Sequence, residues 1–106
     1  MSYRYMRVLV LFDLPTVTSE DRKNYRMFRK GLLKNGFYML QESVYCRMVL
    51  NQSVEKNVKE AIKRIKPPNG MVMVLSVTEK QFSKADFIVG NMRTDILDTD
   101  DRITIL

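Results

Sequence analysis

An almost uninterrupted apolar run, Tyr5-Met6-Arg7-Val8-Leu9-Val10-Leu11-Phe12, halts at Asp13-Leu14-Pro15. A second, Met71 to Val77, starts directly after Pro67-Pro68-Asn69-Gly70. Runs of this length, rich in Val, Leu and Phe and lacking strict alternation, read as central strands with neighbours on both sides. Proline cannot extend a hydrogen-bonded ladder, so Pro15 ends the first strand. The rest of the chain must supply what covers these two strands.

Between them lie two helical patterns. Thr18 followed three residues later by Asp21 forms a weaker version of a capping box, so a helix begins there and runs to about Asn35, with Gly36 as its stop. The second covers about Val54 to Lys66. Its apolar Val54, Val58, Ala61, Ile62 and Ile65 share one face, and Pro67-Pro68-Asn69-Gly70 ends it. Phe37-Tyr38-Met39-Leu40 and Ser43 to Leu50, separated by Gln41-Glu42, read as two short strands or as one strand broken by a bulge. Phe87-Ile88-Val89 and Ile103-Thr104-Ile105-Leu106 are further strand candidates. The order predicts an α+β domain: a ferredoxin-like βαββαβ unit with an extra C-terminal strand and two helices on one face of an antiparallel sheet. The 106 residues make one domain. The other sheet face is left for a partner, and its apolar strands predict a homodimer.

Composition narrows the chemistry. The chain has no histidine, which excludes imidazole bases, His-paired nucleophiles and His-ligated metals. Its one cysteine, Cys46, reads as core filling; it cannot make an intrachain disulfide or a thiolate zinc site, which fits a reducing cytoplasm. No apolar run reaches the roughly 18–20 residues of a membrane span, and no cleavage region follows the N-terminal run. A soluble cytoplasmic protein is expected. The formal net charge is +6, which favours a polyanionic partner. Residues 1–70 carry fourteen basic and six acidic side chains, so the positive charge belongs to the first two-thirds.

The first helix concentrates that charge. At about 100° per residue, Tyr25, Phe28 and Leu32 fall within roughly 60° and form the core face. Arg22, Lys23, Arg26, Arg29, Lys30 and Lys34 fall within roughly 140° elsewhere, with no acidic residue among them. Such a face either binds phosphates or is simply solvated, and its unrelieved sign favours phosphates. On the second helix Glu55 and Glu60 dilute the lysines, and a solvated face is the better reading. The strand Ser43 to Leu50 offers only Tyr45 for stacking, so contact with a nucleic-acid backbone is favoured over reading of bases.

Asp13, at the end of the first strand, has two readings. It caps the following loop as an Asx turn, or it is half of a metal site. One carboxylate is a poor Mg²⁺ site, but a two-fold axis beside Asp13 would supply a second and permit phosphodiester hydrolysis without histidine. Asp95, Asp98, Asp100 and Asp101 lack the glycine and terminal glutamate of a calcium loop; they read as a solvated or partner-contacting loop.

Phe12-Asp13-Leu14-Pro15, Gly36-Phe37 after a basic helix, Gln41-Glu42-Ser43-Val44-Tyr45 and Asp101-Arg102-Ile103 together resemble, over essentially the whole chain, the smaller of the two universal CRISPR adaptation proteins. This is the family of CRISPR-associated endoribonucleases, and the N-terminal segment is similar to members that accompany single-effector RNA-guided systems. The resemblance implies a homodimer whose C-terminal segment, about 91–106, packs on the other protomer or on the integrase. It implies a subunit of the spacer-acquisition complex that bridges integrase dimers and holds short duplex DNA. It carries the family's metal-binding aspartate onto Asp13, with Mg²⁺ shared between protomers and RNA or duplex DNA as substrate of a nuclease present in some members only. Arg22, Arg26 and Arg29 lie where the family places basic residues, and Asp98, Asp100 and Asp101 are the candidate contacts with the integrase. One departure is length: the chain stops at Leu106, where many members carry a further tail. A regulatory module of the same fold, binding a metabolite between protomers, is the remaining alternative, and no glycine-rich loop supports it.

Overall fold

The computed structural model describes residues 5–90. Strand β1 (Met6–Asp13) leads to helix α1 (Ser19–Lys34), strands β2 (Tyr38–Gln41) and β3 (Val44–Val49), helix α2 (Gln52–Ile65) and strand β4 (Met71–Thr78), then a one-turn helix α3 (Glu79–Phe82). The sheet order is β2-β3-β1-β4, with each adjacent pair antiparallel. This is the ferredoxin-like arrangement, with the two apolar runs β1 and β4 as neighbours. Between Met39 and Gln41 the β2–β3 register shifts, so the second strand segment is both separate and bulged.

Local chemistry sets the helix ends. Thr18 Oγ1 accepts from the Asp21 backbone N–H at 3.0 Å, and Asp21 Oδ2 accepts from the Thr18 N–H at 3.1 Å, so the predicted capping box forms with aspartate. Gly36, at φ +86°, turns the chain out of α1. Helix α2 starts two residues before Val54 because the Asn51 side chain caps it, accepting from the Val54 N–H at 2.9 Å.

Strand alternation divides the sheet into two faces. Val8, Val10 and Phe12 of β1 point under the helices and are buried with Tyr45 and Val49 of β3, Phe28 and Leu32 of α1, and Val58 and Ile62 of α2. The Phe12 ring centres this core, 5.1 Å from Phe28 and 5.9 Å from Tyr25 in edge-on geometry. The opposite face carries Leu9, Leu11 and Asp13 of β1 beside Met71, Met73 and Leu75 of β4. Met71, Met73 and Leu75 are exposed, at 67%, 52% and 48%.

The structure corrects one expectation. Phe87-Ile88-Val89 is not a strand: the chain bends there, and Ile88 and Val89 are 89% and 90% exposed. The reason lies upstream. Thr78 and Gln81 close a capping box that turns the chain into α3 and away from the sheet, and Gly90 at φ +89° bends it again. The candidate strand Ile103–Leu106, Asp95 and the contacts Asp98, Asp100 and Asp101 lie outside the described residues.

Candidate functional site

Asp13 is the last residue of β1 and pairs in register with Met71 of β4. Alternation places it on the open face, in line with Leu9 and Leu11, and its side chain is exposed. The next residue, Leu14, is buried in the core, which fixes where the strand ends. A carboxylate therefore stands at one end of an apolar sheet face.

The other end of that face is closed. Arg7 lies on it two residues before Leu9, and its guanidinium donates from Nε to Glu79 Oε1 at 2.7 Å and from Nη2 to Glu79 Oε2 at 3.1 Å. It stacks 4.7 Å above the Phe82 ring and reaches Cys46 Sγ at 3.8 Å. A bidentate pair that also stacks on an aromatic ring is a geometry that arginine supports and lysine does not. Helix α3 is thus pinned over the Arg7 end, and Cys46, within reach of the same guanidinium, is fully buried. Burial pushes the Cys46 thiol up, against the Arg7 hydrogen bond, which favours the thiolate. Cys46 is the inert core residue the sequence indicated. With one end covered, the apolar area left exposed among the described residues is displaced toward Asp13.

The basic face of α1 forms, but its six members differ. Arg22 Nη1 donates to the Val17 carbonyl at 2.8 Å and to the Thr16 carbonyl at 3.3 Å, bracing the loop after Asp13. Arg29 Nε donates to the hydroxyl of the buried Tyr45 at 2.8 Å. Lys23, Arg26, Lys30 and Lys34 are exposed and make no ion pair among the described residues. On α2, by contrast, Lys59 pairs with Glu55 at 3.0 Å and Lys63 with Glu60 at 3.2 Å, as the diluted face predicted. The Ser43–Tyr45 element is internal: the Ser43 carbonyl accepts from the Phe12 N–H at 3.0 Å, and Tyr45 is core.

Among the described residues, no three His, Cys, Asp or Glu side chains gather into a metal site. Among the described residues, each chain would offer a shared Mg²⁺ one carboxylate at this end of the sheet face, Asp13. That fits half of a two-carboxylate site, since Mg²⁺ keeps several waters and takes phosphate oxygens as further ligands. Also among the described residues, no helix is long and apolar enough to cross a membrane.

Sequence reasoning missed α3 and its Arg7 anchor. The Thr78-x-x-Gln81 capping signal was present. Nothing local foretold that Arg7, seventy-two positions before Glu79, would receive it.

The fold and the site together define a ferredoxin-like α+β domain with a strand-end carboxylate and a basic first helix. Among domains of this kind, the family model described as "CRISPR associated protein Cas2" matches residues 6–85. The chain belongs to the Cas2 family of CRISPR adaptation proteins, the smaller of the two universal adaptation subunits. It is 50% identical over 101 residues to the CRISPR-associated endoribonuclease Cas2 of Treponema denticola, covering 95% of this chain and all of that one. The proteins of the same name from Lacticaseibacillus rhamnosus and Streptococcus mutans are 42% and 43% identical over 101 residues. Each match covers 95% of this chain, with 100% of the first relative and 93% of the second.

Proposed function

We propose that the protein is a metal-dependent phosphodiesterase, acting on RNA or duplex DNA, whose site is completed by a second copy of the chain. The observation that carries this reading is the position of Asp13: an exposed carboxylate at the uncovered end of an apolar sheet face whose other end α3 occupies. A second copy packed on the remaining area brings its own Asp13 toward the first. The endoribonuclease name of the relatives supports the same reading.

The two Asp13 carboxylates would hold Mg²⁺, which supplies charge neutralisation and Lewis-acid activation at the phosphodiester when bound. The chain's own residues do the rest. Lys23, Arg26, Lys30 and Lys34 hold backbone phosphates, while the open face excludes water and aligns the protomers. Arg22 steadies the loop beside Asp13. With no histidine available, the reaction has no imidazole to move its proton.

The charges on α1 that no acidic side chain pairs among the described residues favour a second role, in which the dimer grips duplex DNA by its backbone within a spacer-acquisition complex and bridges integrase dimers. In that role Asp98, Asp100 and Asp101 contact the integrase, in the cytoplasm.

Cleavage of labelled RNA and duplex DNA by wild type and Asp13→Ala, with Mg²⁺ and with a chelator, tests the first reading. Cleavage that needs both the metal and Asp13 is the expected result. Folded, dimeric wild type that cuts neither substrate would overturn it and leave the DNA-holding role.

A further inference from the structure

Gly70 and Gly36 have nearly the same backbone, φ +91° and φ +86°, but very different surroundings. A Cβ on Gly36 would meet only the Arg47 side chain, at 3.5 Å or more, an ordinary contact. A Cβ on Gly70 would lie 2.7 Å from the Asp13 carbonyl oxygen, 2.7 Å from Leu14 Cδ2 and 3.1 Å from Leu14 Cα. The first and third of these are backbone atoms, which cannot swing aside as a side-chain end can. Leu14 is also held, buried in the core. Only a residue without Cβ lets the Pro67–Gly70 turn close against the Asp13–Leu14 peptide.

We propose that Gly70 is a positioning residue for the Asp13 carboxylate, and that its missing Cβ sets the place of Asp13 in the metal site. This rests on the reading of Asp13 as half of a shared site. The turn approaches Asp13 from β4, and the register pairs Asp13 with Met71, the residue after Gly70. Any side chain at position 70 therefore pushes the Asp13 peptide. In a site with two-fold symmetry the push acts on both carboxylates, and a small octahedral ion tolerates little error.

The test is Mn²⁺ affinity of the full chain, read from the loss of the free-ion electron paramagnetic resonance signal. Wild type, Asp13→Asn, Gly70→Asn and Gly36→Asn are compared. Asparagine is chosen because it accepts positive φ more readily than other residues, so both glycine variants carry a similar backbone cost. Gly70→Asn is expected to weaken Mn²⁺ binding by about tenfold or more, the effect of disturbing a ligand's support, while Gly36→Asn stays within about twofold. Equal losses in the two glycine variants, or no loss in Gly70→Asn, would overturn the positioning role alone. Wild type that takes up no Mn²⁺, or Asp13→Asn that binds as wild type does, would overturn the metal reading and this inference with it. Should Gly70→Asn not fold, a Mg²⁺ titration of wild type followed by amide shifts decides. Shifts at Asn69, Gly70 and Met71 alongside Asp13 support the role, and a silent turn overturns it.

Discussion

Arg29 reaches from the solvent side of α1 to the hydroxyl of Tyr45, a fully buried residue in β3, and donates to it at 2.8 Å. A residue that looks like one more surface charge is thus tied to the centre of the sheet, where the Tyr45 ring lies 5.7 Å from that of Phe12. Tyr45→Phe keeps the ring and removes the acceptor. It should lower unfolding free energy by about 1 kcal/mol in urea, because water can still solvate the released guanidinium. A loss of about 3 kcal/mol or more would mean the hydroxyl carries a larger network.

The same distinction divides the basic face. Arg26 makes no ion pair among the described residues, and Arg22 is engaged by two loop carbonyls. Arg26→Glu should weaken duplex binding and reduce the slope of log affinity against log salt by about 1 to 2, the loss of one or two phosphate contacts. Arg22→Ala should leave that slope within error of wild type. Fluorescence anisotropy across a salt series reads both, and an equal drop for the two variants would restore Arg22 to the phosphate surface.

On the open face, Met73 is half exposed beside Leu11, with which it pairs in register. If a second copy covers this face, wild type should sediment at about twice the 12.5 kDa chain mass at micromolar concentration. Met73→Asp, which places a charge in the contact without touching the core, should sediment as a monomer with an unchanged circular dichroism spectrum. A monomeric wild type would remove both the shared site and the bridging role.

Cys46 lies within reach of Arg7, which stacks on Phe82, and burial pushes its thiol up. Native protein should therefore react with iodoacetamide at pH 8 far more slowly than unfolded protein, and Phe82→Ala should speed the reaction by loosening the Arg7 guanidinium that lies against the thiol. The folded state keeps the Cys46 proton more tightly than the unfolded state does. Its contribution to stability is therefore fully present below the ordinary thiol value of 9.0 and is lost as pH rises from there through the higher folded value. Fast alkylation of folded wild type would mean that α3 does not stay closed over the sheet.

Much of this architecture was legible in the sequence because the signals are local. The β1 and β4 runs announce themselves by composition, α1 by its Thr18–Asp21 cap and Gly36 stop, and α2 by its apolar face and double proline. Asn51 gives no periodic signal because the first turn of α2 is polar, so the apolar period begins only at Val54. Phe87-Ile88-Val89 is apolar enough to read as a strand, but the Thr78-x-x-Gln81 cap turns the chain away first. At the site, a helical wheel gives the direction of Arg22 and Arg29 but not the acceptors within their reach. Val17 and Tyr45 meet those guanidinium groups only once the loop and the sheet are in place. Gly70 reads in sequence as a helix terminator, and its closeness to Asp13 exists only after β1 and β4 pair.

Mixing wild type with Asp13→Ala shows whether one site is built from two Asp13 carboxylates. The two are unfolded together, refolded so that protomers exchange at random, and assayed for Mg²⁺-dependent cleavage. Because only dimers with two Asp13 residues are complete, an equal mixture should retain about one quarter of the wild-type activity. Retention of one half would show that each protomer works alone, and would contradict the shared site.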